Sequence, residues 1–319
     1  MSNSESPAGA EDIRWDLSDL YNSPEDPNLK NDKKKLLKLA DHFSGKYKGK
    51  VAKLNHEQFF NALNEYEQII ETAHKIGSYS QLIWTTDTEN PELGKLLQEA
   101  SELGSEVSQK LVFFDVEWLK IDDEQAEKII SSERLSGYKH YLQVSRLYKE
   151  HTLSEEAEKV MSAKSVTGRS AWNRCFDETL GAARFDFEGE SLTEQEVLSK
   201  LHSGDRNVRK KAHASLTATF KTLRKTLTFI FNTILADKAT NDKLRGYENW
   251  ITSRNLSNQI DDRSVEALVD AVTGRYPLVQ RYYKLKKDLL GYDELYDYDL
   301  YAPLRESETS IEWGSAKKM

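Results

Sequence analysis

Between Asp205 and Thr240 the residues Leu216, Phe220, Leu223, Leu227, Ile230, Ile234 and Leu235 return at the spacing of one helix face, and no proline interrupts them. A stripe that long commits the segment to a helix packed along one side. The same rule holds over most of the chain. Leu93, Leu96, Leu97, Ala100, Leu103 and Val107 repeat at intervals of three and four after "ENPE", where Pro91 suits a first-turn position. Further helical patterns cover roughly 136–149, 154–165 and 168–180, and two more follow near 245–252 and 262–290. With 15 Gly and 6 Pro in 319 residues there is little to break them.

One segment departs from the helical rule. "ARFDFEGESLT" alternates Phe185 and Phe187, turns at Glu188-Gly189 and resumes at Leu192, the outline of a short hairpin near 183–192. Thr193 and Glu196 then form a capping box that opens the next helix. The reading is a mainly α protein, a multi-helix lobe with one short β-hairpin. The hairpin is the natural dividing point: residues 1–12 read as a flexible leader, 13–182 as an N-terminal helical bundle, and 183–319 as the hairpin with its long helices. "WDLSDLYNSPEDPN" reads as an extended or turning lead-in to the first helix.

Metal and nucleophile chemistry can be tested by spacing. "LNHEQFF" holds the only His-Glu dipeptide, His56-Glu57, and so begins like the zinc signature H-E-x-x-H, but Phe60 stands where the second histidine is needed. A plainer reading fits: Asn55 caps a helix, Gln58 completes a capping box, and Phe59, Leu63, Tyr66 and Ile70 form its apolar face. The seven histidines are 42, 56, 74, 140, 151, 202 and 213, and no two are three to five residues apart. The pairs 140/151 and 202/213 share a helix face, but about 16 Å of axial separation keeps either pair from one metal. Glu71 and His74 make a single Glu-x-x-His, where a di-iron bundle needs two, and read as an exposed pair. Cys175, the sole cysteine, lies between Trp172 and Phe176 and reads as a buried structural thiol. No G-x-S-x-G, phosphate loop or dinucleotide fingerprint is present. Residue chemistry alone therefore names no catalytic residue and no metal ligand, and leaves substrate-binding residues unknown.

The net charge of −8 argues against a general polyanion binder. Lys30–Lys53 is rich in lysine but reads as a solvated helix face and loop. Arg206–Lys211 is odder, because it sets positive charge in the first turns of a long helix, against the dipole. A single cysteine allows no intramolecular disulfide, and a cytoplasmic location fits. No basic start with an apolar core and no bilayer-length apolar run occurs, so neither membrane nor nucleic acid is expected as a partner.

Several stretches together resemble the oligoendopeptidase F family, zinc metallopeptidases related to thimet oligopeptidase. They are "RWDLSDLYNSPEDPNL", "GRSAWNRCFDETL" with the hairpin after it, "DRNVRKKAHASLTATF…ILADKATNDKLRGYENWITSRNLSNQID", and "YPLVQRYYKLKKDLLGYDELYDYDLYAPL". They occur in the family's order from Arg14 nearly to the end. The resemblance implies a mostly helical, two-lobed fold around a channel in which zinc hydrolyses short, unstructured peptides. It also implies that two histidines of H-E-x-x-H and a later glutamate hold the metal, the motif's glutamate being the general base, with a histidine and a tyrosine further on at the oxyanion. None of these positions is in this sequence. The expectation is an N-terminal portion, with residues 183–319 leading into a catalytic lobe that the chain lacks. "SIEWGSAKKM" ends like the first turns of a helix without a Gly cap, as a truncated reading frame would. Short peptides and that catalytic lobe are the expected partners, and zinc the expected cofactor of the full enzyme. The alternatives are a catalytically inactive helical module for peptide binding or protein interaction, and a nucleic-acid binder using Lys30–Lys53 and Arg206–Lys211.

Overall fold

Side-chain caps start most of the helices. A computed structural model describes residues 13, 15–305 and 311–319; the residue 1–12 leader lies outside them. α1 (Pro27–Tyr47) begins where Asp26 accepts the Asn28 N–H and Pro27 takes the first turn. α2 (His56–Thr85) opens with the Asn55/Gln58 capping box, and α3 (Pro91–Lys120) with Asn90 as cap and Pro91 behind it. α4 (Asp123–Ile130), α5 (Lys139–Arg146), α6 (Glu155–Ser165) and α7 (Arg169–Gly181) follow, α4 and α6 capped by Asp122 and Ser154. Then β1 (Phe185–Phe187) and β2 (Glu190–Leu192) pair antiparallel, Phe185 opposite Leu192. Their turn needs left-handed backbone at both central residues, and Glu188 and Gly189 supply it at φ 57° and 89°. α8 (Glu194–Lys200) starts at the Thr193/Glu196 capping box. α9 (Arg206–Leu244), α10 (Thr252–Ser257), α11 (Asp262–Thr273), α12 (Tyr276–Leu290) and the short α13 (Trp313–Ala316) complete a mainly α fold with one hairpin among the described residues.

Three expected helices differ from those found. The 136–149 pattern resolves into a 3₁₀ turn at Glu133–Tyr138, α5, and a second 3₁₀ turn at Lys149–His151. The helix expected near 245–252 is a turn, because the Gly246 backbone adopts φ 68° and Asn249 Oδ1 accepts the Ile251 and Thr252 N–H groups to launch α10 instead. The single helix expected over 262–290 is broken between Thr273 and Tyr276, since Pro277 has no N–H to continue the ladder and serves the first turn of α12.

The chain forms two compact units. The larger comprises residues 20–182 and 224–273. Its core is aromatic: Phe43 of α1 meets Phe113 and Phe114 of α3 at ring centroids of 5.8 and 5.4 Å, and Phe59 of α2 meets Trp118 at 5.4 Å. Leu36, Ala40, Ala62 and Leu63 fill the spaces between these rings. The smaller comprises the described residues among 13–19, 183–223 and 274–319. There the hairpin lays Phe185 and Phe187 against Val197, Ala212 and Leu216, with Phe220 and Leu223 packed on the same cluster. No helix among the described residues is long and apolar enough to cross a membrane.

Candidate functional site

The sequence-flagged residues do not converge. His56 is exposed on the first turn of α2, and Glu57 beside it pairs with Arg134 at 2.7 and 3.2 Å. Glu71 and His74 are both exposed. His151 stacks on Tyr247 at 4.0 Å and its Nδ1 meets the Arg245 carbonyl, while His202 stacks on Tyr301 and His213 pairs with Asp297 at 2.9 Å. Cys175 is half-buried, not buried, because Phe176 turns outward and Trp172 packs on Phe229. Among the described residues no three His, Cys, Asp or Glu side chains form a group that could hold a metal.

Two features stand out that spacing rules did not name. In the larger unit, α2, α3, α5 and α6 border an open-mouthed pocket of about 530 Å³. The α3 face carrying Val112, Asp115, Val116 and Leu119 follows a three-and-four repeat, and α5 turns His140, Tyr141 and Val144 toward it. Tyr66 from α2, Trp118, Tyr148 and Glu158 complete the ring of polar and aromatic groups. Asp115 is the chemical centre: the Tyr66 hydroxyl donates to Oδ2 at 3.2 Å. Burial pushes the Asp115 carboxyl up to about 6; the Tyr66 and Tyr141 hydroxyls pull it back down and nearby Glu158 pushes it further up. Both tyrosine hydroxyls are themselves pushed above their ordinary range, first by burial and then by that carboxylate. Glu158 is already neutralised by Arg245, which grips it bidentately at 2.7 and 2.8 Å. The signal in the sequence is "LVFFDVEW", an aspartate inside an apolar run, and only packing shows where it points.

In the smaller unit, the basic cluster at the start of α9 finds its partner ninety residues on. Arg209 is fully buried and its donors are all directed: Nε to the Tyr298 carbonyl, one terminal nitrogen to the Ser203 and Gly204 carbonyls, the other to Asp299 at 2.9 Å and the Tyr292 hydroxyl. Arg206 adds two bonds to Asp299 at 3.2 and 2.8 Å and lies over the Tyr292 ring at 3.9 Å. Burial alone would raise the Asp299 carboxyl, but Arg206, the Tyr296 N–H and Arg209 hold it below the usual range. Lys286, buried beside them, donates to the Leu300 carbonyl at 2.9 Å, and burial together with Arg209 lowers its pKa. Every strong donor and acceptor of the Arg209–Asp299 pair is used inside the fold, so this network ties residues 286–302 to α9 and is architectural.

The likeness to known proteins runs along most of the chain. Residues 117–185 match the family described as oligopeptidase F. An oligoendopeptidase F homolog of Borreliella burgdorferi is 28% identical over 301 residues, covering 92% of this chain and 49% of its own length. Oligopeptidase PepF of Bacillus subtilis is 26% identical over 318 residues, 97% of this chain and 46% of its own length. The crystal structure of oligoendopeptidase-F from Enterococcus faecium superposes with a TM-score of 0.79 at 27% identity, covering 88% of this chain and 56% of that one. Across nearly its whole length this chain is thus similar to proteins named oligoendopeptidase F or oligopeptidase PepF. It spans about half the length of the curated relatives it matches.

Proposed function

We propose that these residues form the helical, non-catalytic portion of an oligoendopeptidase F-like zinc metalloendopeptidase that hydrolyses short unstructured peptides in the cytoplasm. The observation that carries this reading is the likeness to the Enterococcus faecium enzyme along 88% of the chain. On this reading the metal and the general base come from the part of the relatives' length that this chain does not span. The role left to this chain is to position and select: long packed helices make a stiff wall, and a wall beside a catalytic centre excludes folded proteins by size alone.

The test has two arms. The purified chain should hold no stoichiometric zinc by elemental analysis and should leave a quenched fluorescent peptide intact. Exchanged for the matching residues of the Enterococcus faecium enzyme, it should support peptide cleavage that a chelator stops. Stoichiometric zinc or peptide cleavage by the chain alone would overturn the assignment of a non-catalytic role.

A further inference from the structure

We propose that the pocket centred on Asp115 is a binding site for an organic ammonium group carried on a short apolar stem. The argument begins with charge. Asp115 faces the Tyr66 and Tyr141 hydroxyls, and among the described residues no lysine or arginine pairs with it. The other carboxylate in the lining, Glu158, has its charge answered by Arg245. Arg146, the nearest arginine in sequence on α5, is engaged by the Trp118 and Ile121 carbonyls and by Asp123. One negative charge is therefore left half-buried without a lysine or arginine partner, a position that burial makes unfavourable and a bound cation relieves.

The walls select which cation. Val112, Val116, Leu119 and Val144 are apolar, and Tyr66, Tyr141 and Tyr148 bring aromatic rings to the same space. A metal ion needs several oxygen ligands and finds one free carboxylate here. An ammonium needs one carboxylate and aromatic faces, and its stem gains from the apolar wall. The pocket volume of about 530 Å³ suits such a molecule. Tyr141 is 41% exposed, so the mouth is open to solvent. Gln259, held in the left-handed region at φ 54° just after α10, stands in the lining.

The same ammonium chemistry has two sources, a free amine or the N-terminus of a short peptide, and the experiment separates them. Phenethylammonium, 2-phenylethanol and 3-phenylpropionate are titrated into the chain by calorimetry, alongside Phe-Ala-amide and its N-acetylated form. The amine should saturate the site and bind at least about tenfold more tightly than the alcohol or the acid, which is about 1.4 kcal/mol. In Asp115→Asn that preference should vanish. Binding of Phe-Ala-amide but not its acetylated form identifies peptide N-termini as ligands, whereas binding of phenethylammonium alone restricts the site to free amines. An alcohol that binds as well as the amine, or a preference that survives D115N, overturns the proposal. So does the absence of saturable amine binding to the unaltered chain, a result that does not depend on the variant folding. Peptide cleavage is not a readout here, so failure of this proposal leaves the peptidase reading standing.

Discussion

Asp115 and Asp299 are both aspartates enclosed by helices, and their neighbours send them in opposite directions. The Asp115 carboxyl sits near 6, above its ordinary value, so between those two values the folded chain holds a proton that the unfolded chain has released. Stability from this group is therefore present at low pH and lost as pH rises through about 6. The full shift of roughly two units corresponds to about 3 kcal/mol, an upper bound because the carboxyl is partly open to solvent. Asp115→Asn should melt at a higher temperature than the parent at pH 8, with the gap closing toward pH 5; parallel melting curves at the two pH values would refute this. Asp299 runs the other way, its stabilisation present at neutral pH and lost on acidification through its lowered pKa. Asp299→Ala leaves the Arg209 guanidinium buried without its counter-charge and should cost about 3–5 kcal/mol in a denaturant titration.

Among the elements, the caps matter more than the resemblances. The His-Glu pair at the start of α2 looks like half a zinc signature, yet what Asn55 does there is accept the Gln58 N–H at 2.9 Å while Gln58 Oε1 accepts its own. Asn55→Ala should destabilise the larger unit by about 1 kcal/mol, whereas His56→Ala, at an exposed position, should change the melting temperature by almost nothing. A larger loss from the histidine would mean that its ring carries a role that its surroundings do not show. Gly291 ends α12 at φ 67°, and Gly291→Ala should cost about 1 kcal/mol for the left-handed backbone, although no atom stands in the way of the added methyl.

At the scale of the whole molecule, the exposed apolar side chains are the notable surface. On α12, Leu278, Val279, Tyr282, Leu285 and Leu289 are each at least 49% exposed, and on α11 Leu268, Val269 and Val272 are at least 50% exposed. Surfaces of that kind bind apolar probes and other copies. The isolated chain should brighten an anilinonaphthalene dye at neutral pH, and the double substitution Leu278→Glu, Leu285→Glu should reduce that signal without lowering helix content by circular dichroism; an unchanged signal would place the dye elsewhere.

What the sequence determined by itself is local in origin. The stripes of α3 and α9, the Asn55 and Thr193 capping boxes and the Glu188-Gly189 turn each depend on residues within a few positions of one another, so spacing and propensity suffice to read them. The family resemblance was legible for a similar reason, as ordered blocks along one chain. Where isolated charges end up depends instead on packing between distant segments. Arg206–Lys211 looked misplaced against the α9 dipole until Asp299, ninety residues away for Arg209, was brought against it. Nothing in the spacing of the sequence marks Asp115; α2, α5 and α6 gather beside it and leave it without a lysine or arginine partner. A burial penalty depends on every element that excludes water from the group, and no window of sequence contains them all.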